Sequence, residues 1–433
     1  MKVLTRPKTS FISTRNACKL CSPLGACFVM RGIENCIPLI HGSQGCATYI
    51  RRYGISHFRE PLDIASSNFV ETTAIFGGRD NLFKALDNVI QQYQPDAIGI
   101  TSTCLSETMG EDVELYLREY AKLRRTSLSP LFFYASTPSY RGTHIDGFNE
   151  AVCAVIKATA NNENQKTNED KQRINLISPF VSCEDVREFH RILQAFDVPY
   201  TLLPDYSETL DGVAWQDYQK IPNGGTTLAD IAKMKYADTT ITFNGDSANF
   251  PLNNVVHLPL PIGVDNTDKF FDTLKNITNR ESATMSYERG RLIDAYFDGH
   301  KYVSGKRAVV YGDKMFVAAL KSFLEEIGIN VVLAADGAET DFETMLETIR
   351  SSRCSKTELA DKPDFIIGNS KGLYLSRALG IPLVRCGFPI HDRIGGHRIL
   401  HIGYRGTLNL FERICNTLIE YKQNQEPFGW TYV

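Results

Sequence analysis

The chain has 433 residues, of which 43% are hydrophobic and 22% charged, and its net charge is −3. This composition is typical of a folded globular protein, and the interspersed charges leave no basic face for a nucleic-acid backbone. No stretch reaches the roughly 18–20 apolar residues of a membrane helix, and residues 1–13 lack the apolar core of a signal peptide, so we expect a cytoplasmic protein.

The first predicted elements form a β-α-β unit. Apolar residues recur at helical spacing over 82–93, and Pro95 ends that helix. The apolar run Ala97–Thr101 predicts a buried strand, residues 112–125 a second helix, and Leu131–Ala135 a second strand. Parallel strands need such helical crossovers, so this unit predicts a parallel sheet.

The same alternation continues after the polar run 161–172, which holds no apolar residue and predicts a domain boundary. The later predicted elements are strand 174–177, helix 183–196, strand 200–203, helix 226–236, strand 239–243, a mostly helical stretch 269–302, strand 308–311, helix 315–327, strand 331–334, helix 342–349, strand 364–367, helix 373–379 and strand 383–386.

These elements predict an α/β fold of three doubly wound, Rossmann-like domains with parallel sheets. The predicted divisions are 1–160, 173–268, a helical connection over 269–305, and 306–433. The three units share their element order, although no sequence repeat of fixed period is present. Neither of the glycine-rich phosphate loops, G-x-G-x-x-G after a strand or G-x-x-x-x-G-K-[ST], occurs, which argues against nucleotide binding by those motifs.

The chain has eleven cysteines, and this odd number argues against a disulfide framework. Crowding at the N-terminal end indicates metal or redox chemistry, although a buried free cysteine can also serve as a small hydrophobe. The pair Cys18 and Cys21 forms a lone C-x-x-C, and a structural zinc site would need a second pair. The crowded cysteines are Cys18, Cys21, Cys27, Cys36 and Cys46.

Two predicted strands carry polar residues where they end. Cys104 follows Ala97–Thr101, and Ser139 follows the next strand. Ligands of open α/β sheets bind outside the carboxyl ends of the strands, so both side chains can lie on one crest. Cys46 lies in a predicted glycine-containing loop that offers backbone N–H groups. Thiolates are the ligands of iron–sulfur clusters, and a serine oxygen suits a cluster whose coordination changes with its redox state. From local sequence alone, however, the simpler interpretation of Ser139 is a turn residue after Pro138.

Two further sets of polar residues are interpreted as structural rather than catalytic. The sequence contains no hydrolase motif that would give them a catalytic role. We expect the histidines near the C-terminus to be loop or interface residues rather than metal ligands, and the carboxylates of the segment LPDYSETLDG to be solvated. The residues concerned are His391, His397 and His401, and Asp205, Glu208 and Asp211.

Several motifs together resemble the nitrogenase component 1 family, in particular its β-type chain. These are CSPLGA at Cys21, PLIHGSQGCATYIRRYGISHFREP around Cys46, ITSTCLSETMGED around Cys104 and STPSYRGTH around Ser139. The resemblance continues through GGTTLADI, RCGFPIHDRIGG and HIGYRGT, so it spans nearly the whole chain. Each motif is weak alone, and the set is specific.

The resemblance implies three α/β domains and an α₂β₂ complex with an α-type partner, either NifE-like or NifD-like. It implies an iron–sulfur cluster at the αβ interface, with Cys21, Cys46 and Cys104 as ligands and Ser139 as an oxygen donor. It places an iron–molybdenum-type cofactor, or its precursor, in the partner chain. It also implies a separate ATP-hydrolysing iron protein as the electron donor.

The first functional hypothesis is a scaffold subunit similar to NifN, which serves iron–molybdenum cofactor biosynthesis. The segments LPDYSETLDG, GGTTLADI and GYRGT favour it, and so do the roughly twenty residues before Cys21, where the catalytic β subunit usually has a longer extension. The second is a β subunit of a catalytic nitrogenase or nitrogenase-like reductase, which the complete ligand set favours. The third is a cluster-free α/β interaction protein.

Overall fold

The computed structural model describes residues 20–123, 130–160, 173–243, 249–337, 339–351 and 362–425. These residues form two compact units, one of 20–190 with 198–257 and the other of 191–197 with 258–425. In the described ranges, no helix is both long enough and apolar enough to cross a membrane. The predicted boundary at 161–172 and Cys18 lie outside the described residues.

The first sheet belongs to the first unit and is parallel throughout, with the strand order β2-β1-β3-β4. Its strands are β1 (Cys36–His41), β2 (Ala65–Ser66), β3 (Ala97–Ser102) and β4 (Leu131–Ala135). Its helices are α1 (Ser22–Arg31), α2 (Gln44–Phe58), α3 (Glu71–Phe76), α4 (Arg79–Tyr93), α5 (Cys104–Met109), α6 (Val113–Leu123) and α7 (His144–Thr159).

Burial explains why these residues form these elements. Every residue of β1 and of β3 is buried, as expected for central strands of a parallel sheet covered on both faces. Helix α4 buries Leu82, Leu86 and Val89 on one face. The helix ends at Gln94, which adopts a left-handed conformation immediately before Pro95.

The second sheet has the order β6-β5-β7-β8 and is also parallel. Its strands are β5 (Ile174–Ile177), β6 (Tyr200–Leu203), β7 (Thr239–Thr242) and β8 (Val255–His257), and its helices are α8 (Cys183–Ala195) and α9 (Leu228–Lys233). A single 3₁₀ turn, Met234–Tyr236, extends α9, so the predicted helix over 226–236 is divided between two helix types.

The third sheet lies in the second unit and has the parallel order β10-β9-β11-β12. Its strands are β9 (Arg307–Gly312), β10 (Asn330–Asp336), β11 (Phe365–Gly368) and β12 (Leu383–Arg385). The helices of this unit are α10 (Val264–Thr278), α11 (Ala283–Val303), α12 (Lys314–Glu326), α13 (Phe342–Ser351), α14 (Leu373–Leu379) and α15 (Gly403–Gln423).

All three sheets have one topology, in which the second strand in sequence pairs outside the first and the third and fourth follow on the other side. This confirms the predicted α/β class with doubly wound parallel sheets. In each sheet the order in which strands are added changes side between the first and third strands, although all strands stay parallel. This switch point is where such folds bind ligands. The predicted domain divisions themselves stay a prediction.

The predicted solvated state of the LPDYSETLDG carboxylates is wrong for two of the three residues. Asp211 is buried and accepts a hydrogen bond from Arg187 Nη1 at 2.8 Å. Asp205 Oδ2 lies 2.9 Å from His190 Nε2. Glu208 stays half exposed and pairs with Arg187 Nε at 3.1 Å. These contacts fix the loop after β6.

One charged side chain is buried at the end of α1. Arg31 is only 2% exposed, and its Nε and Nη2 atoms have no hydrogen-bond partner among the described residues. Burial lowers the pKa of this guanidinium, while Cys36, Asp63 and Tyr93 oppose that shift. A buried charge that is incompletely paired is a net cost to folding.

We expect Arg31→Met to raise the free energy of unfolding by about 1–3 kcal/mol, because an apolar side chain of similar length needs no desolvation. Urea unfolding of the purified chain measures this change. The control is Arg118→Met on α6, where the side chain is 68% exposed and the expected change is within about 0.5 kcal/mol. A free energy of unfolding below that of wild type for Arg31→Met would contradict this prediction. It would mean that Asp63 requires the guanidinium as its partner.

Candidate metal centre

Three cysteines occupy the beginnings of three helices. Cys21 is the N-cap of α1, Cys46 is the third residue of α2, and Cys104 is the first residue of α5. Backbone N–H groups at a helix start are unpaired and the dipole is positive there, which suits the binding of an anionic group. Together with Ser139, these residues are called the cysteine site below.

The predicted loop around Cys46 is wrong. Helix α2 begins at Gln44, so only Gly42 and Ser43 separate it from β1. The helix forms because Ala47 and Ile50 share a buried face one turn apart, which outweighs the glycine at its second position. Cys46 therefore has a fixed position on a helix of fifteen residues rather than a place in a pliable loop.

The switch point of the first sheet brings Cys46 and Cys104 to one edge. Strands β1 and β3 are neighbours, and His41 at the end of β1 pairs with Ser102 at the end of β3. The Thr103 hydroxyl donates to the His41 carbonyl oxygen at 3.3 Å, which ties the two strand ends together. The chain continues from these ends directly into α2 and α5.

Ser139 lies beside Cys104, as predicted for two residues that follow neighbouring strands. The Ser139 backbone N–H donates to Cys104 Sγ at 3.3 Å. Its hydroxyl oxygen accepts a hydrogen bond from Ser22 N at 3.1 Å. Burial raises the pKa of the Cys21 thiol, a hydrogen bond from Ser139 lowers it, and nearby Cys46 and Cys104 raise it further. The structure therefore brings all four predicted residues together.

Close backbone packing positions Cys21. Helices α1 and α7 meet at two glycines, and a Cβ atom on Gly25 would lie 1.7 Å from the His144 carbonyl oxygen. A Cβ atom on Gly147 would lie 2.0 Å from the Ser22 carbonyl oxygen. The His144 N–H also donates to the Leu20 carbonyl at 3.1 Å. The start of α1 is therefore held by main-chain contacts.

Exposure separates the site cysteines from most others. Cys104 is exposed, and Cys21 and Cys46 are partly exposed. Among the described residues the buried free cysteines are Cys27, Cys36, Cys183, Cys386 and Cys415. Burial raises the pKa of Cys36 to about 12. Buried thiols of this kind behave as small hydrophobes, whereas the site cysteines remain accessible to a ligand.

The donor set does not suit a single metal ion. Within the described ranges no three His, Cys, Asp or Glu side chains meet around one point as the ligands of one ion do. Three thiols and a hydroxyl at one edge of a sheet instead suit a cluster of several metal atoms. The residues that directly follow Cys104 and Ser139 have large exposed side chains, namely Leu105 with 45% and Tyr140 with 59% exposure.

Sequence reasoning missed two carboxylates that support the site. Glu111 Oε2 lies 3.2 Å from Nε2 of buried His41, at the end of β1. Burial alone would raise the pKa of Glu111, but His41 and the Gly78 N–H lower it. Glu107, three residues after Cys104, accepts three hydroxyl hydrogen bonds. Apart from Ser102, their partners are distant in sequence, so no local pattern marks these residues.

The C-terminal histidines belong to the other compact unit. His397 and His401 are buried, and the His391 N–H donates to Ser370 Oγ at 3.1 Å. Neighbouring Asp392 accepts hydrogen bonds from Arg385 Nε at 2.9 Å and from Arg385 Nη2 at 2.6 Å. The interpretation of these histidines as loop or interface residues stays a prediction.

Comparison with known proteins gives a consistent result. The family model for nitrogenase component 1 type oxidoreductases matches residues 21–419. The nitrogenase molybdenum-iron protein beta chain of Methanothermobacter thermautotrophicus is 37% identical, with 95% of each chain covered. That of Clostridium pasteurianum is 33% identical, over 94% of this chain and 93% of the relative. The solved structure of nitrogenase Cp1 at pH 6.5 matches with a TM-score of 0.88 and 31% identity, over 99% of this chain and 98% of that chain.

The fold and these matches define an α/β oxidoreductase component. The chain belongs to the nitrogenase component 1 family. Within that family it is a β-type subunit, since the relatives named above are beta chains and match over nearly their full length.

We expect iodoacetamide to alkylate Cys104 in the metal-free native chain at pH 8 roughly a hundredfold or more faster than Cys36, because the thiolate is the nucleophile. Exposure of Cys104 and the raised pKa of buried Cys36 both act in this direction. Peptide mass spectrometry over a time course measures the two rates. Unfolding in urea should remove the difference, and equal rates in the native chain would contradict the described burial.

Proposed function

We propose that this chain holds an iron–sulfur cluster together with an α-type partner and relays electrons through it in a nitrogenase-type complex. Cys21, Cys46 and Cys104 supply thiolate ligands, and Ser139 supplies an oxygen donor. The single observation that carries the proposal is the convergence of these four residues at the switch point of the first sheet. Membership of the family, whose members contain metal–sulfur clusters, supports it.

The cluster, when bound, supplies one-electron redox chemistry at sulfur-ligated iron. The residues of this chain orient and stabilise it. Cys21, Cys46 and Cys104 lie at the starts of α1, α2 and α5, where unpaired N–H groups and positive dipole ends would stabilise a bound anionic cluster. The Ser139 N–H on Cys104 Sγ adds a hydrogen bond of the kind that tunes cluster potentials.

A partner chain is part of the proposal because the site is one-sided. Cys104 is exposed, and so are the large side chains of Leu105 and Tyr140, which follow Cys104 and Ser139. A second chain that supplies the remaining ligands would bury these side chains and exclude water from the cluster. We propose an α-type partner in an α₂β₂ complex, an iron–molybdenum-type cofactor in that partner, and an iron protein as electron donor.

A NifN-like scaffold subunit is the second candidate. It is favoured by the segments LPDYSETLDG, GGTTLADI and GYRGT, which look more like the scaffold than the catalytic subunit. Chain length does not separate the two, because the chain covers 95% of the molybdenum-iron protein beta chain from Methanothermobacter. The complete set of four site residues favours the electron-relay function.

We expect Cys46→Ala to abolish most of the site's iron and to weaken association with the partner, since no neighbouring group replaces the lost thiolate. Iron analysis and size-exclusion chromatography of the anaerobic complex measure both effects. The control is Cys153→Ala, a partly exposed cysteine on α7 with an expected iron content equal to wild type. An unchanged iron content in Cys46→Ala would contradict the ligand assignment.

Acetylene reduction separates the electron-relay subunit from the scaffold. We expect sustained, ATP-dependent turnover by the anaerobic complex with its cognate iron protein. The iron protein is first shown to be active with a known nitrogenase, so that a missing donor activity is recognised. Absence of turnover, together with transfer of a cofactor to cofactor-free nitrogenase, would overturn the electron-relay proposal and support the scaffold.

A further inference from the structure

A buried group of hydroxyls joins the ends of β3 and β4. The Ser102 hydroxyl accepts a hydrogen bond from Thr137 N at 2.8 Å, and the Thr137 hydroxyl donates to the Ser102 carbonyl at 2.8 Å. The Thr101 and Thr137 hydroxyl oxygens lie 2.5 Å apart. All three residues are buried. The segment that leads to Ser139 is thereby fastened to the strand that leads to Cys104.

Glu107 is the acceptor at which these hydroxyls converge. Its Oε1 accepts hydrogen bonds from Ser102 Oγ at 2.5 Å, Tyr134 OH at 2.9 Å and Ser136 Oγ at 2.5 Å. Burial alone would raise the pKa of Glu107, but these three hydrogen bonds and the charge of Arg141 together lower it. One carboxylate oxygen therefore bridges β3, β4 and α5.

The segments that Glu107 connects lead directly to the cysteine site. Ser136 and Thr137 immediately precede Pro138 and Ser139, whose N–H donates to Cys104 Sγ at 3.3 Å. Cys104 lies one helical turn before Glu107 on α5. The donor and acceptor of this N–H···S hydrogen bond are thus carried by the two segments that Glu107 joins. Without the carboxylate, two hydroxyls from β4 and its following loop would lose their common acceptor.

We propose that Glu107 is a positioning residue that sets the reduction potential of the cluster by holding the Ser139 N–H on Cys104 Sγ. The inference rests on the proposed function. An N–H···S hydrogen bond stabilises the more negative, reduced cluster, so it raises the potential. Glu107 acts through geometry and touches no ligand atom in the structure.

Two substitutions separate geometry from charge. Glu107→Gln and Glu107→Ala both remove the negative charge, so the change in potential that follows from charge alone is common to both. Gln keeps a side-chain oxygen that can accept from Ser102, Tyr134 and Ser136, whereas Ala leaves those hydroxyls without it. The difference between the two variants therefore reports the geometry.

The experiment is a redox titration of the anaerobic α₂β₂ complex, followed by electron paramagnetic resonance of the cluster. We expect the midpoint potential of Glu107→Ala to lie below that of Glu107→Gln, with Gln restoring the wild-type spectrum. The control is Glu114→Gln on α6, where the side chain is 70% exposed. It should leave the midpoint potential and the spectrum unchanged. Equal potentials for Ala and Gln would overturn the inference.

If the complex that contains Glu107→Ala does not assemble, a second pair of variants tests the same inference. Ser136→Ala and Tyr134→Phe each remove one donor without changing charge, and each should lower the potential. A potential that stays at the wild-type value in both would overturn the inference. A wild-type complex without any iron–sulfur signal would instead overturn the proposed function, so the two failures are distinguishable.

Discussion

The flush pairing of β1 with β3 is the constraint on which the cysteine site depends. Six consecutive residue pairs join the strands, from Cys36 with Ala97 to His41 with Ser102. Both strands therefore end at one level, and α2 and α5 start side by side. A slip of one residue would displace one helix start by about 3.3 Å and turn its side chains to the opposite face. The thiols of Cys46 and Cys104 would then no longer face one ligand.

The second requirement is electrostatic. Thiolates at the edge of a sheet repel one another, and accordingly Cys46 and Cys104 both raise the pKa of Cys21. Helix starts offset this repulsion because each brings unpaired N–H groups and a positive dipole end. The two carboxylates near the site, Glu107 and Glu111, each accept several hydrogen bonds. These hydrogen bonds use both carboxylates to hold strand ends and neighbouring segments in place.

Much of the fold could be predicted because buried strands and amphipathic helices leave local patterns. The boundaries of Leu131–Ala135 and Leu373–Leu379 agree with the structure residue for residue. Helix α1 escaped prediction because all ten of its residues are buried, which removes the polar face that gives a helical period. Helix α2 escaped because glycine and polar residues surround Cys46. The crest shared by Cys104 and Ser139 followed from parallel topology alone. The role of Glu107 did not, because its donors Tyr134 and Ser136 lie 27 and 29 residues away.

The crossing of α1 and α7 has a consequence for how this site can vary. At Gly25 and Gly147 the two backbones approach so closely that even a methyl group would collide with a carbonyl oxygen. A substitution at either glycine therefore cannot shift Cys21 slightly, because even the change from glycine to alanine breaks the contact between the helices. Single substitutions that adjust the site without breaking this contact are therefore restricted to the other helix starts, α2 and α5, and to the segment of Ser139. Cys21 is the fixed reference point against which the other donors can be adjusted.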